Sequence, residues 1–285
     1  MVQTLNDYLA SKAPELAAGP IAIILCEDVI EVASSLDHAA KAGFRLILAL
    51  SPEPLPVTVS TQVRNLIYDT RRADAHVAAV NAVNEAVPAG TWLYYGYNAE
   101  YLFFPFSETR RVGEMLAFHT EERRASMLSY VVDLYAADLA RSPNAVSLDE
   151  AMFDQTGYYA LGRKDTKGGY LERQLDFHGG LRWRFEEHIP EGRRRIDRIA
   201  LFRARPGLRL LPDHRFDDEE YNTYSCPWHH NLTCAVASFR VAKALATNPG
   251  SRGEISGFRW RNSCRFEWSA QQLMDLGLME PGQWF

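Results

Sequence analysis

Three consecutive stretches decide the fold: Ile21-Ala22-Ile23-Ile24-Leu25-Cys26, the segment from Asp28 to Ala42, and Phe44-Arg45-Leu46-Ile47-Leu48-Ala49-Leu50. The first and third are short, nearly continuous apolar runs rich in branched residues, the pattern of strands buried on both faces. Between them apolar residues recur at Val29, Val32, Ala33, Leu36, Ala39 and Ala40, the spacing of one helical face, and Gly43 stands where a helix stops. Strand, helix and strand within about 30 residues make a βαβ unit, so the two strands are expected as parallel neighbours with the helix against the sheet.

Further along, a second helical pattern covers Ala73 to Val87 and closes at Pro88-Ala89-Gly90. From Thr91 to Phe106, two aromatic halves flank a polar step at Asn98-Ala99-Glu100. This predicts a central strand over Thr91 to Tyr97 that runs into a loop at its carboxyl end, where ligands sit in open α/β sheets. Arg110 to Thr120 reads as a helix, Ser126 to Leu134 as a strand, Asn144 to Leu161 as irregular, and Lys164 to Gly169 as a polar glycine-containing loop suited to movement or disorder. No low-complexity linker or repeat divides the chain, so the expectation is one domain over 1–285, with a core at about 20–245 and a C-terminal extension at 246–285.

Composition narrows the function classes. With 47% hydrophobic and 24% charged residues the chain is made like a packed globular protein. A net charge of −5 argues against general nucleic-acid binding. Its longest apolar run, Ile21 to Cys26, is far short of a membrane span, and Met1 to Glu15 lacks the pattern of a secretory signal. Cys26, Cys226, Cys234 and Cys264 are scattered without a CxxC pair, which points to a reduced, cytoplasmic setting and away from a metal cluster held by sulfur. Charge is sorted late in the chain. Nine arginines lie between Leu181 and Arg209 against four acids, and five acids follow between Asp213 and Glu220, so this region is the expected anion-handling surface.

The signatures of P-loop, dinucleotide-binding, zincin and α/β-hydrolase chemistry are all absent. What is present is an order of short pieces: Cys26-Glu27-Asp28 after the first strand, Gly43-Phe44 before the second, Trp92 to Pro105, then His178-Gly179-Gly180-Leu181-Arg182-Trp183-Arg184. Ile196 to Leu201, Pro212-Asp213-His214, Cys226 to His230 and Ala237-Ser238-Phe239-Arg240 complete it. In this order the chain resembles the glycosyltransferase family 2-like proteins of bacteria over roughly residues 20 to 245. The resemblance implies an α/β, GT-A-like (Rossmann-like) sheet with helices on both faces and C-terminal elaborations. It further implies a nucleotide-sugar donor and a polysaccharide or glycolipid acceptor.

In that family a D-x-D-E step holds Mg²⁺ or Mn²⁺ against the diphosphate, since hard divalent cations take oxygen ligands. Here the step falls on Tyr97-Asn98-Ala99-Glu100, so neither aspartate is present, no metal ligand is assigned, and a Mg or Mn cofactor is not required by the sequence. The residues singled out for substrate binding are Asn98, Glu100, Arg182, Arg184, His214 and His230, with Glu187 or Asp176 as the base that would deprotonate the acceptor hydroxyl. Each has a plainer reading. Glu100 is either a ligand or a solvated loop acid. Arg182 and Arg184, alternating with Trp183 on an expected strand, share one face and either clamp a phosphate or form ion pairs with Glu186, Glu187 or Asp197. His229 and His230 are adjacent, so at most one of them faces a site. The alternative to transfer is a non-catalytic GT-A descendant that binds carbohydrate or a partner.

Overall fold

The computed structural model describes residues 3–56, 60–224 and 231–284. In chain order the elements are β1 (Gln3–Thr4), α1 (Leu5–Ala10), β2 (Ile21–Leu25), α2 (Val32–Ala42), β3 (Leu46–Ser51), β4 (Val63–Ile67), α3 (Ala75–Ala86), β5 (Trp92–Tyr97), β6 (Glu100–Phe103), α4 (Val112–Glu121) and β7 (Ser126–Asp133). They continue with β8 (Tyr135–Ala136), β9 (Ala151–Asp154), β10 (Tyr159–Lys164), β11 (Tyr170–His178), α5 (Gly180–Arg184), β12 (Asp197–Arg203), β13 (Cys234–Ser238), α6 (Arg240–Thr247), β14 (Ser263–Arg265) and α7 (Ala270–Asp275).

The main sheet has nine strands in the order β1-β4-β3-β2-β5-β12-β7-β13-β6. β2 and β3 pair in parallel from Ile21↔Leu46 to Leu25↔Leu50, as the βαβ reading expects, and β5 lies parallel on the other side of β2. β12 then runs antiparallel between β5 and β7, and β6 closes the far edge antiparallel to β13. This is a mixed α/β sheet with helices on both faces. Leu5 and Tyr8 of α1 and Ala79, Val80 and Val83 of α3 pack on Ile21, Ile23 and Leu25. Val32, Leu36 and Ala39 of α2 and Val112 and Met115 of α4 pack on the opposite face with Ala22 and Ile24. Because β2 is covered on both sides, all of its residues are apolar rather than alternating.

Four expectations need correction. The helix expected from Asp28 begins at Val32, because the Asp28 carboxylate accepts the Ile30 amide at 2.9 Å and holds the entry open. Its other end behaves as expected: Gly43 closes α2 at φ 102°, a conformation that costs only glycine nothing. The loop expected after β5 is only the two residues Asn98-Ala99, after which the chain enters β6 at Glu100. Residues 144–161 are not irregular throughout, since they contain β9 and the start of β10. The Arg182–Arg184 segment is the short helix α5, not a strand. Two residues apart on a helix turn through about 200°, so the two guanidinium groups leave on different sides instead of sharing a face.

The hairpin β10–β11 stands apart from the main sheet, and the polar stretch expected as a loop is the short turn that follows Lys164 between its strands. A three-stranded sheet β14-β9-β8 joins the end of the chain to the middle, and Ala270 and Leu273 of α7 pack with Phe153 and Phe266. No helix among the described residues is long and apolar enough to cross a membrane.

Candidate functional site

β2, β3 and β4 step outward in one direction, and α3 returns the chain to β5 on the other side of β2. The strand order therefore reverses between β2 and β5, and the crevice at their carboxyl ends is where this class of sheet binds ligands. Two connections meet there, 26–31 after β2 and Asn98-Ala99 after β5. Asn98 staples them. Its Oδ1 accepts the Glu27 amide at 2.9 Å, and its Nδ2 donates to Asp28 Oδ1 at 2.6 Å and to the Ile30 carbonyl at 2.8 Å. Ala99 sits at φ 57°, which costs a non-glycine residue about 1 kcal/mol. It is held there by its amide on Ser35 Oγ (2.8 Å) and by its carbonyl, which accepts from Phe239 (3.0 Å).

Glu100 is buried rather than solvated, with Arg198 as its bidentate partner at 2.8 Å to each oxygen. Ser238 Oγ (3.0 Å) and the Tyr97 amide (3.0 Å) also donate to it. Burial by itself would raise this carboxyl, but the Arg198 charge and hydrogen bonds outweigh it and hold Glu100 below the ordinary carboxylate range. Arg240 and Lys243, three apart on α6, reach the same side. Arg240 is bidentate to Glu27 at 2.6 and 2.8 Å and lies 3.8 Å over the Tyr97 ring; Lys243 meets Asp28 at 2.7 Å. Arg71 Nε donates to the Glu27 carbonyl at 3.3 Å. Each carboxylate of the crevice thus faces one base.

This donor set does not fit a divalent cation. The Asn98 oxygen already accepts the Glu27 amide, and both Glu100 oxygens are taken by Arg198, Ser238 and Tyr97. No group of three or more His, Cys, Asp or Glu among the described residues is arranged to hold a metal ion.

His214 flanks the same centre. Its Nδ1 lies 3.1 Å from Tyr95 Oη, and its ring stacks on Tyr95 and sits 4.6 Å from the ring of His76. Burial first, then Arg198 and His76, push the His214 imidazole far down, and burial with Arg240 and Arg198 takes His76 down to about 4. Both are neutral near pH 7, so His214 offers hydrogen bonds rather than positive charge.

The other expected site residues are dispersed. Arg182 Nε meets Asp133 at 3.4 Å and its Nη1 donates to the Arg195 carbonyl, whereas Arg184 meets Asp154 at 3.0 Å and the Phe258 carbonyl at 2.7 Å. Their partners are therefore Asp133 and Asp154, not Glu186, Glu187 or Asp197. Asp154 is also bonded by Tyr135 Oη (2.5 Å) and Trp260 Nε1 (2.7 Å). Asp133 is pushed up to about 6 by burial against the pull of Arg182, and Gly180, at φ 61°, leaves room for it: a Cβ there would lie 3.1 Å from Asp133 Oδ2. Asp176 accepts from Arg195 at 3.0 Å and from Arg215. Glu187 is exposed on a 3-10 turn over 186–188. His230 lies outside the described residues.

Sequence reasoning passed over Lys243 and His76, and treated Glu27, Arg198 and Arg240 only as parts of longer stretches. One signal was available: acids directly after a buried strand, and bases at i and i+3 opening a late helix. No family model matches the chain, and no curated protein matches it.

Proposed function

We propose that this protein is a GT-A-like glycosyltransferase that takes a nucleotide-diphosphate sugar in the β2–β5 crevice and passes the sugar to a polysaccharide or glycolipid acceptor. The observation that carries the reading is the crevice itself: a strand-order reversal with Arg71 and Arg240 at its rim over half-buried Glu27 and buried Tyr97. A diphosphate there would meet guanidinium groups in place of a metal, and planar forked donors suit phosphate oxygens. In the transfer, the acceptor oxygen bonds to the anomeric carbon as the bond to the diphosphate breaks. The diphosphate leaves with the electron pair, and the acceptor proton goes to a carboxylate. Of the two candidates for that role, Asp176 lies on the β10–β11 hairpin opposite Leu161, while Glu187 faces solvent. The test is calorimetric titration with UDP, GDP and CDP, with and without Mn²⁺. Binding that does not need Mn²⁺ and falls about tenfold or more in Arg240→Ala is expected, the scale of one charge-assisted contact. Binding to none of the three, or binding only with Mn²⁺, overturns the reading.

A second reading, a non-catalytic descendant that binds carbohydrate without transferring it, has one observation in its favour. Glu27, Asp28 and Glu100 are each neutralised by a base of the protein itself, an arrangement that holds loops in place as well as it would await a ligand. Hydrolysis or transfer from a bound nucleotide sugar separates the two readings.

A further inference from the structure

The hairpin carries a second polar centre with a different character. Its register pairs Tyr159 with His178 and Leu161 with Asp176, so these four side chains share one face. Tyr159 and His178 stack at 5.1 Å with 17° between their planes, forming a flat aromatic platform. Tyr159 is 45% exposed and Leu161 55% exposed, although both are large apolar side chains. Burial holds His178 below its ordinary value, so the imidazole stacks as a neutral ring.

Beside the platform three arginines interleave with three aspartates. Arg163 Nη2 meets Asp213 Oδ2 at 2.9 Å, Arg195 meets Asp176 at 3.0 Å, and Arg215 bonds Asp197 at 2.9 Å as well as Asp176. The charges cancel, yet the hydrogen bonds do not. Arg163 Nη1, Arg215 Nη1 and Asp213 Oδ1 are buried and have no partner among the described residues. Arg215 Nη1 comes to 3.9 Å of Asp213 Oδ2, too far for a hydrogen bond. Leaving such groups unsatisfied costs about 1–3 kcal/mol each, so the centre has unmet capacity for two donors and one acceptor. The Asp213 side chain is 36% exposed, so the edge of this centre meets solvent while the three unpartnered atoms themselves are buried.

We propose that this face is a binding subsite for a neutral pyranose unit of the acceptor, its ring laid on the Tyr159–His178 platform and its hydroxyls bonded to Asp213, Arg163 and Arg215. A hydroxyl both donates and accepts, so adjacent hydroxyls satisfy Asp213 Oδ1 and the two spare guanidinium donors together. A phosphate or carboxylate ligand would satisfy the donors but meet Asp213 and Asp176 as like charges. The word acceptor rests on the transferase reading above; sugar binding at the hairpin does not.

The experiment is saturation-transfer NMR on the full chain with methyl glucoside, methyl galactoside, methyl mannoside and methyl N-acetylglucosaminide. Methyl glucuronide and inorganic phosphate serve as charged probes, and UDP, GDP and CDP affinities are measured on the same samples. Binding of at least one neutral glycoside is expected. Tyr159→Ala and Asp213→Asn should each weaken it about tenfold or more, with Tyr159→Phe retaining it and the nucleotide affinities unchanged. Binding of no neutral glycoside, equal binding in Tyr159→Ala, or preference for glucuronide or phosphate overturns the subsite. Neutral glycoside binding without nucleotide binding supports the subsite and removes the transferase reading. Nucleotide binding without glycoside binding does the reverse.

Discussion

The β2–β5 crevice and the polar centre beside the hairpin are both crowded with charge, but they use their hydrogen bonds differently. In the crevice Glu100, Glu27 and Asp28 each meet one base, and Glu100 is closed off on both oxygens. In the hairpin centre the charges also balance, three against three, and still three buried atoms have no partner among the described residues. A closed network locks two loops and a strand end in place; an open one beside an exposed aromatic face is where an outside molecule gains most. Charge density alone separates neither region from the other. The count of satisfied atoms does.

Breaking the closed network should do the most damage. Arg198→Met leaves the Glu100 carboxylate buried without its countercharge and is expected to cost about 3–5 kcal/mol in denaturant unfolding. The double variant Glu100→Gln with Arg198→Met should recover most of that loss. A small effect from the single variant would mean that Glu100 is reached by water, and the contrast between the two regions would weaken.

Arg184→Ala comes next. It removes one of several partners of buried Asp154, while Tyr135 and Trp260 remain, so a loss of about 2–3 kcal/mol is expected with nucleotide affinity unchanged. A changed affinity with unchanged stability would return this arginine to a ligand site.

Proton linkage sharpens the comparison. Asp197, in the hairpin centre, is pushed up to about 6 by burial, and Asp133 likewise. A carboxyl raised in the folded state contributes stability that is fully present below its unfolded value, near 4, and is lost as pH rises through about 6. Glu100 has the opposite sign: its contribution is present above its unfolded value and is lost as pH falls through its lowered folded value. Asp197→Asn should therefore make the stability difference between pH 7 and pH 4.5 more favourable to pH 7 by roughly 1–2 kcal/mol relative to wild type. No change in that difference would mean that Arg195 and Arg215 already keep Asp197 at its ordinary value.

Tyr159→Ala has the smallest expected effect on stability, within about 0.5 kcal/mol, because the ring is half exposed and its aromatic contact among the described residues is its cross-strand neighbour His178. A loss of several kcal/mol would make the platform a structural element instead of a binding face.

Much of the scaffold was readable along the chain. A continuous apolar run has one economical resting place, the middle of a two-sided sheet, and β2, β3 and β5 lie where their runs begin, to within two residues. That Lys164 to Gly169 is a loop was readable from its polar and glycine content, but that it turns tightly between two paired strands was not. The Gly-Gly-Leu-Arg-Trp-Arg segment misled. Alternation of charged and aromatic residues is a strand pattern, but Gly180 at φ 61° beside Asp133 starts a helical turn, and that conformation is set by what lies next to it in space. Glu100 misled in the same way: in sequence it is a polar step between aromatics, and only contact with Arg198, 98 positions away, makes it a buried ion pair.

By itself, then, the sequence determined the parallel start of the sheet and the helix that covers it, because each follows from periodicity and backbone preference within about a dozen neighbouring residues. The tertiary structure alone decided which charges meet. Arg198 with Glu100, Arg240 with Glu27 and Arg163 with Asp213 join residues 98, 213 and 50 positions apart. Whether such a group ends up paired or wanting is a property of the folded neighbourhood, where burial removes the water that would otherwise have satisfied it.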